Sequence, residues 1–233
     1  MKSAGTKISE AVTASLEQNR TDGPVKAVGC VIMASGLGRR FGGNKLLADF
    51  DGQPLISRIL ECSARFPCLR RLVVTRHAGI AALCREMGLF VLLHDLPDRS
   101  DTIRLGLGHL LAIEDGQDHI WPPAHSHLSG CLFCPADQPL LRPESLEALL
   151  QAFFQNPDSI CRPAYEGRAA SPVLFGRRFF PELLTLPRGS GGSFLAQKYP
   201  AQVVQIPVRD AFELDDVDTP QDLARLFLLS KGI

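Results

Sequence analysis

Residues 28–45 read VGCVIMASGLGRRFGGNK, and this stretch guides the interpretation of the whole chain. The apolar run Val28–Met33 ends abruptly in small residues and glycines, which is typical of a buried strand that opens into a loop. Glycine lets the backbone approach a ligand closely and point several N–H groups at one anion. Arg39, Arg40 and Lys45 add positive charge, and the forked donors of arginine suit phosphate oxygens. The stretch therefore predicts a phosphate-binding loop, the alternative being a strand-to-helix turn whose basic residues are only solvated.

Two familiar glycine-rich motifs do not fit this loop. The Walker A pattern requires a glycine directly before the lysine and Ser or Thr after it, whereas Asn44 precedes Lys45 and Leu46 follows it. The dinucleotide fingerprint G-x-G-x-x-G fails because its third glycine position holds Phe41. The loop is therefore a third kind of phosphate-binding element.

Composition excludes several classes of function. The 233 residues are 45% apolar and carry 25 basic and 25 acidic side chains, so the formal charge is zero. A general binder of nucleic acid or of membrane surfaces normally has a basic excess. We see no apolar run long enough to span a membrane and no signal-like N-terminus, so we expect a cytoplasmic protein without nucleic-acid or membrane partners.

Strands and helices alternate along most of the chain. This alternation predicts an α/β fold with a mostly parallel central sheet covered on both faces. Residues 1–24 are interpreted as a mobile tail with a short helix at Ile8–Leu16, and residues 25–233 as one domain with a substrate-binding lobe at about 157–210. The predicted strands are Val28–Met33, Arg71–Thr75, Phe90–His94, Gly130–Cys134, Ser159–Pro163, Pro172–Phe175 and Val203–Pro207. The predicted helices are Leu55–Arg65, Ala78–Met87, Asp101–Ile113, Pro143–Gln155, Arg178–Leu184 and Pro220–Leu229, with a flexible loop at Pro187–Gly192.

Two groups of side chains resemble metal sites only weakly. Cys131 and Cys134 form C-x-x-C, but they lie on a predicted buried strand and no second pair stands at zinc spacing, so structural cysteines are favoured over redox or metal use. Seven cysteines at irregular spacing do not indicate a disulfide framework. His125 and His127 fall in a proline-rich loop and are interpreted as incidental.

Acidic residues provide the more convincing candidates for holding a cation. Asp137 follows a predicted central strand, at the edge where open α/β sheets bind ligands. A carboxylate beside phosphates suits Mg²⁺, which prefers oxygen ligands, although a turn aspartate bound to local N–H groups is the alternative. Asp216 and Asp218 precede a helix that Asp218 or Thr219 is able to cap, and their alternation allows both to face the same crevice.

Six stretches carry a resemblance to a known family. The first loop resembles the A-x-G-x-x-x-R-[MF]-G-x-x-K signature of the nucleotidyltransferase superfamily that includes the molybdenum cofactor cytidylyl- and guanylyltransferases. PADQP at 135–139 and DVDTPQDL at 216–223 are similar to its two acidic motifs, and RSDTIRLGL at 99–107 to its nucleotide-packing segment. SPVLFGRRFFPELL and RGSGGSFL, from 171 to 195, resemble the cytidylyl branch, although Ala170-Ser171 replaces Gly-His and Ser193 stands where an arginine is common.

The resemblance implies a Rossmann-like three-layer sandwich of the nucleotide-diphospho-sugar transferase type. It also implies transfer of CMP from CTP to the terminal phosphate of molybdopterin, with release of pyrophosphate, in the maturation of molybdenum hydroxylases. The implied site residues are catalytic Arg40, Lys45 and Asp137, Mg²⁺ ligands Asp137, Asp216 and Asp218, and acceptor-binding Ser171, Pro172 and Gly191. The implied nucleotide-binding residues are Ala34, Ser35, Gly36, Leu37, Gly38, Arg39, Lys45, Thr102 and Asp137.

Several alternatives stay open at the level of sequence. CTP is favoured over GTP because a β-carbon at Ser35 would crowd a purine more than a pyrimidine. A non-catalytic carrier of molybdopterin or nucleotide is the second hypothesis, and a transferase with another phosphate acceptor is the third. A molybdenum hydroxylase apoenzyme is expected as a protein partner.

Overall fold

The computed structural model describes residues 27–114 and 127–232 of the chain. The predicted tail at 1–24 and His125 lie outside the described residues. The described strands are β1 Ala27–Ala34, β2 Asp49–Phe50, β3 Gln53–Pro54, β4 Arg70–Thr75, β5 Phe90–Leu93, β6 Leu128–Pro135, β7 Ile160–Tyr165, β8 Arg168–Ala169, β9 Val173–Gly176 and β10 Val203–Pro207. The described α-helices are α1 Ile56–Ala64, α2 Ala78–Glu86, α3 Arg99–Glu114, α4 Pro143–Gln155, α5 Phe180–Leu184, α6 Gly192–Lys198 and α7 Pro220–Ser230.

A mostly parallel sheet forms the centre of the fold, as the alternation of elements predicts. Its strand order is β10-β7-β9-β6-β1-β4-β5, with β8 added to β7. Strand β1 lies between β4 and β6 and pairs with both in parallel. The carboxyl ends of β1, β4 and β6 therefore meet at one edge, and the glycine-rich loop, Arg76 and Asp137 all follow strands that end there.

Side chains alternate between two apolar layers on the faces of this sheet. Along β1, Cys30 and Ile32 join one buried cluster with residues of α1, α4 and α7. Val31, between them, joins the opposite cluster with residues of α3, α5 and α6. Helices thus cover both faces, and the three-layer α/β prediction is confirmed.

Strand β9 runs against the direction of its neighbours. It is antiparallel to both β6 and β7, so its first residues lie at the same edge as the carboxyl end of β6. A cis peptide bond joins Ser171 to Pro172 just before it. This reversal brings the segment around Ser171 to the edge where the glycine-rich loop lies. The proposed division into a core and a lobe at 157–210 stays a prediction.

The start of α3 and the whole of α6 differ from the sequence prediction. Helix α3 begins at Arg99 rather than Asp101, because Asp101 accepts a hydrogen bond from the Asp98 N–H (2.9 Å) from within the first turn. Helix α6 begins at Gly192, the last residue of the predicted loop Pro187–Gly192, and continues to Lys198, where the sequence predicts no helix. Glycine and serine at its start are typical of loops, so the sequence gives little indication of this short helix.

The C-x-x-C pair consists of two structural cysteines. Cys131 and Cys134 are both fully buried on β6, and burial raises the pKa of each thiol. They belong to opposite apolar layers, so they face away from each other across the sheet. This arrangement prevents the two sulfur atoms from sharing one ion.

Two glycines of α3 allow a matched test of its packing against the sheet. A β-carbon at Gly106 would lie 2.7 and 2.9 Å from the two methyl carbons of Val31, whereas one at Gly108 meets nothing within 4 Å. We expect Gly106→Ala to lower the free energy of unfolding by about 1–3 kcal/mol through overpacking. Gly108→Ala should raise it by about 0.8–1.0 kcal/mol, because alanine favours helix. Urea unfolding of both variants measures the difference, and equal stabilities would contradict the close approach of α3.

Candidate active site

A cleft of about 460 Å³ lies at the carboxyl edge of the sheet. Its walls come from the glycine-rich loop, the start of α3, the segment after β6, the start of β9 and the segment before α7. Of the residues predicted for the site, the lining includes Ser35, Gly36, Leu37, Gly38, Arg39, Arg40, Lys45, Thr102, Asp137, Ser171, Asp216 and Asp218. The cationic loop and the three acids therefore meet in one place, as the sequence predicts.

Backbone geometry explains the glycines of the first loop. Gly38 has a φ of +58°, and a β-carbon there would lie 2.2 Å from the Gly43 carbonyl oxygen. The carbonyl of Gly38 accepts hydrogen bonds from the N–H groups of Phe41 (2.9 Å) and Gly42 (3.2 Å). Asn44 then caps a short 3₁₀ helix by accepting from the Leu46 N–H at 3.2 Å. This tight turn delivers Lys45 into the cleft.

Lys45 lies between two carboxylates at the bottom of the cleft. Its Nζ is 2.6 Å from Asp137 Oδ2 and 3.1 Å from Asp218 Oδ1, and only 8% of its side chain is exposed. Burial disfavours the ammonium, but the two carboxylates outweigh that effect, so the pKa of Lys45 is raised. Arg40 Nη2 donates to the other oxygen of Asp218 at 2.7 Å. Both predicted catalytic cations thus engage the predicted metal ligands directly.

Backbone and side-chain contacts hold the two acidic segments together. The Val217 N–H donates to the Asp137 carbonyl at 2.9 Å, and Gln138 Nε2 donates to the Leu214 carbonyl at 3.1 Å. Thr219 and Asp222 form a reciprocal capping box at the start of α7. The sequence prediction that Asp218 or Thr219 caps this helix is thereby resolved in favour of Thr219. Asp218 is left to face the cleft.

The charge balance of the cleft is suited to a divalent cation. Desolvation by the cleft walls is the main cause that raises the pKa of Asp216 to about 6, and repulsion from the Asp137 carboxylate adds to it. Within residues 27–114 and 127–232, however, no three potential ligand side chains stand close enough to hold an ion as they are. Lys45 separates Asp137 from Asp218. The donor set fits Mg²⁺ in chemistry, and the assignment of ligands stays a prediction.

Thr102 is a buried side chain with unused hydrogen-bonding capacity. Its residue is only 1% exposed, it lines the cleft, and its Oγ1 has no hydrogen-bond partner among residues 27–114 and 127–232. A buried hydroxyl without a partner is costly, and a bound ligand removes that cost. The sequence prediction places Thr102 beside the nucleotide, and this unsatisfied hydroxyl is consistent with it.

Three predicted contacts lie behind the cleft wall. The side chain of Ala34 is fully buried within β1, where its carbonyl accepts a hydrogen bond from Thr75 Oγ1 at 2.9 Å. Pro172 is buried beneath Ser171 and does not line the cleft. Gly191 lies against Arg99, whose Cδ would be 3.0 Å from a β-carbon at that position. In this structure the neighbours Ser35, Ser171 and Gly192 line the cleft instead.

The lining of the cleft includes residues that the site prediction omits. They are Arg99, Asp98 and Ser193, together with the buried rings of Phe133 and Phe175. The only signal for Arg99 is its place at the start of the motif at 99–107. The rings carry no signal of their own, because a buried strand residue looks the same in sequence whether it faces the core or a cleft.

Ion pairs and a hydrogen bond join the start of α3 to the loop before α6. Arg188 Nε donates to Asp98 Oδ2 at 3.0 Å. Arg104 pairs with Asp101 and donates from Nη1 to the Leu186 carbonyl at 2.6 Å. These contacts connect the start of α3 to the loop before α6.

Residues 30–203 match the MobA-like NTP transferase domain family. The match includes the glycine-rich loop, the start of α3 and Asp137 in chain order. The chain belongs to this family. The acidic segment at 216–218 lies beyond the matched residues, so its place in the cleft comes from the fold and not from the match.

Relatives of this family member carry several different names. A probable molybdenum cofactor guanylyltransferase of Pyrococcus horikoshii is 24% identical over 153 residues, covering 64% of the chain and 69% of that protein. The purine catabolism protein PucB of Bacillus subtilis is 27% identical over 201 residues, covering 82% of the chain and 92% of PucB. A 3-deoxy-manno-octulosonate cytidylyltransferase of Neisseria meningitidis is 25% identical over 122 residues, which are 52% of the chain and 44% of that protein.

Solved structures support the fold of this MobA-like domain. Rv0371c of Mycobacterium tuberculosis superposes with a TM-score of 0.69 at 21% identity, covering 87% of the chain and 98% of Rv0371c. The same protein has been solved in complex with manganese, with a TM-score of 0.66, 20% identity and coverage of 87% and 99%. Among the described residues, no helix has the length and apolar character needed to cross a membrane.

Proposed function

We propose that the chain transfers CMP from CTP to the terminal phosphate of a molybdopterin-type acceptor and releases pyrophosphate. The observation that carries this proposal is the position of Lys45 between Asp137 and Asp218, at the end of a glycine-rich loop. Such a site neutralises phosphate charge on one side and offers carboxylates to a cation on the other. Family membership supports nucleotidyl transfer as the type of reaction.

The reaction requires positioning and charge neutralisation more than a strong base. An oxygen of the acceptor phosphate forms a bond to the α-phosphorus of CTP, while the bond from that phosphorus to the bridging oxygen breaks. Pyrophosphate leaves with the electron pair. The attacking oxygen is already anionic, so Arg40, Lys45 and the backbone N–H groups of the loop act by binding the triphosphate and the charge that develops on pyrophosphate.

A divalent cation completes the charge balance of this site. Asp137, with Asp216 or Asp218, would hold it, and carboxylate oxygens are the ligands that Mg²⁺ prefers. When bound, the ion would neutralise phosphate oxygens at the reacting centre. Lys45 and Arg40, which now engage Asp218, are placed to turn their charges toward the triphosphate.

The acceptor is assigned to the wall of the cleft that Ser171 and the start of α6 form. Ser171 and Ser193 each offer a hydroxyl there. The rings of Phe133 and Phe175 form an apolar floor that suits a flat heterocycle such as a pterin. The product would be passed to a molybdenum hydroxylase apoenzyme, and similarity to PucB, which is named for purine catabolism, supports that destination.

The nucleotide base is the least constrained part of the proposal. The argument for CTP is that Ser35 lines the cleft, where its β-carbon would crowd a purine more than a pyrimidine. The name of the Pyrococcus relative favours GTP as the second candidate. CTP and GTP would require the same roles of Lys45 and of the three acids, because both carry the same triphosphate.

A competition assay tests the proposal directly. The purified chain is incubated with Mg²⁺, molybdopterin and each of CTP, GTP, ATP and UTP, and pyrophosphate release is measured. We expect release that depends on the acceptor and has the highest kcat/KM with CTP. Preference for GTP would select the second candidate. Tight binding of nucleotide with no pyrophosphate formed in any mixture would instead support the carrier hypothesis and overturn the transferase.

A further inference from the structure

His94, just beyond β5, contacts the first residue of the glycine-rich loop. Its Nε2 lies 2.9 Å from Ser35 Oγ, and its Nδ1 is 3.2 Å from the backbone nitrogen of Leu96. Ser35 Oγ in turn donates to the Val74 carbonyl at 3.1 Å. The half-buried imidazole is thus bonded on both sides, and neither bond involves a predicted catalytic or metal-binding residue.

These contacts allow only one protonation state of the ring. The Leu96 N–H donates, so His94 Nδ1 accepts and carries no proton. Ser35 uses its own hydrogen for the Val74 carbonyl, so its oxygen accepts from an Nε2–H. The ring is therefore the neutral Nε2–H tautomer. A proton added to Nδ1 would point at the Leu96 N–H and break that bond.

Through these bonds His94 connects two parts of the cleft rim. Ser35 begins one part, and the other begins just after Leu96, where Pro97 and Asp98 line the cleft. A second histidine, His77, holds the next residue of the loop by donating from Nε2 to the Gly36 carbonyl at 2.9 Å. The loop is therefore anchored by side chains from the ends of two neighbouring strands.

We propose that neutral His94 is a positioning residue that holds Ser35 and the 96–98 segment in the arrangement that binds the nucleotide. This inference rests on the proposed nucleotidyl transfer but assigns a role that the transfer itself does not require. His94 is not among the residues that line the cleft, so it would act through the residues it holds.

The role of His94 makes nucleotide binding depend on pH. Burial lowers the pKa of His94, and the nearby Arg76 lowers it further, whereas Asp101 and Asp95 oppose the shift. His77 and Asp98 are the other titratable groups in this part of the rim. Since the folded state favours the neutral ring, the bonds are intact above histidine's ordinary pKa of about 6.5 and are lost as the pH falls through the lowered value.

The experiment compares four forms of the full chain. Binding of CTP and of GTP with Mg²⁺ is measured by equilibrium dialysis from pH 5 to pH 8, without acceptor. The forms are wild type, His94→Ala, His94→Gln and, as a control, His127→Gln, which removes an exposed histidine outside the cleft. The ratio of each variant's Kd to the wild-type Kd cancels the titration of the nucleotide itself.

At pH 7.5 we expect His94→Ala to raise the nucleotide Kd about 2- to 10-fold, the usual effect of losing one hydrogen bond. That ratio should fall toward one once the pH drops below the lowered pKa of His94, because the wild type then loses the same bonds. His94→Gln keeps an N–H donor for Ser35 and does not titrate, so its Kd should stay within about twofold of wild type at pH 7.5 and become the lower of the two once the wild-type ring is protonated.

Two results would overturn the inference alone. One is a ratio for His94→Ala that is one at pH 7.5, or that rises as the pH is lowered, while the wild type binds nucleotide. The other is a His94→Gln variant that binds as weakly as His94→Ala. Failure of the wild type to bind CTP or GTP at any pH would instead remove the proposed function. Should His94→Ala not fold, His94→Phe, which removes both bonds and keeps a ring at this position, is compared in its place.

Discussion

Replacing Lys45 with alanine is expected to lower the turnover number about 10²- to 10³-fold, which corresponds to about 2.7–4 kcal/mol of transition-state stabilisation. The reason is the buried position of Nζ between Asp137 and Asp218, where water cannot readily replace the lost charge. Pyrophosphate release under saturating CTP, Mg²⁺ and acceptor measures the effect. Lys45→Met should show the same loss while preserving the packing of the side chain.

Controls separate this effect from a general loss of charge or of fold. Lys231→Ala removes an exposed lysine that pairs with Asp51 at 2.6 Å, outside the cleft, and should leave turnover unchanged. The Mg²⁺ concentration for half-maximal activity should not rise in Lys45→Ala, because the carboxylates lose a competing cation. Equal turnover in Lys45→Ala and Lys231→Ala would contradict a catalytic role for Lys45.

Replacing Asp137 with asparagine is expected to lower turnover at least about 10²-fold, because one charged ligand and the partner of Lys45 are lost together. Unlike the lysine variant, this one should also need more Mg²⁺ for half-maximal activity. A metal titration at fixed CTP and acceptor measures both quantities. The two variants therefore differ in metal requirement even if their turnover is equally low.

Asp215→Asn is the matched control for Asp137→Asn. Asp215 belongs to the same acidic segment as Asp216, but it pairs with Arg225 at 2.9 Å and does not line the cleft. We expect it to keep wild-type turnover and metal requirement. Equal losses in the two variants would mean that negative charge in general, and not the position of Asp137, supports the reaction.

The side of the cleft that contains the glycine-rich loop and Asp137 can largely be predicted from sequence. The run Val28–Met33 with its glycines marks a strand end, and Asp137 marks another after a buried strand. Parallel strands must place such ends at one edge, so their convergence follows from the order of elements alone. The pairing of Lys45 with Asp218, across 173 residues, does not follow from any local pattern.

The side of the cleft that β9 and α6 form is harder to predict, for physical reasons. A short buried strand such as β9 has the same apolar pattern in either direction, so its antiparallel pairing with β6 is set by tertiary packing. Helix α6 begins with small residues that read as a loop. Asp98 and Arg188 contribute through a pairing that no spacing rule indicates.

The hydrogen bond from the Val217 N–H to the Asp137 carbonyl has a consequence for how the protein loses function. The segment at 214–218 is held to the central sheet by this bond, by Gln138, by the buried side chain of Val217 and by the pairing of Asp218 with Lys45, and it carries two of the three acids. Local opening of such a peripheral segment requires less free energy than unfolding the sheet. Catalytic competence and global stability are therefore separate properties of this fold. We expect mild warming or a distant substitution to separate Asp216 and Asp218 from Asp137 while most backbone amides of the sheet stay protected from hydrogen exchange.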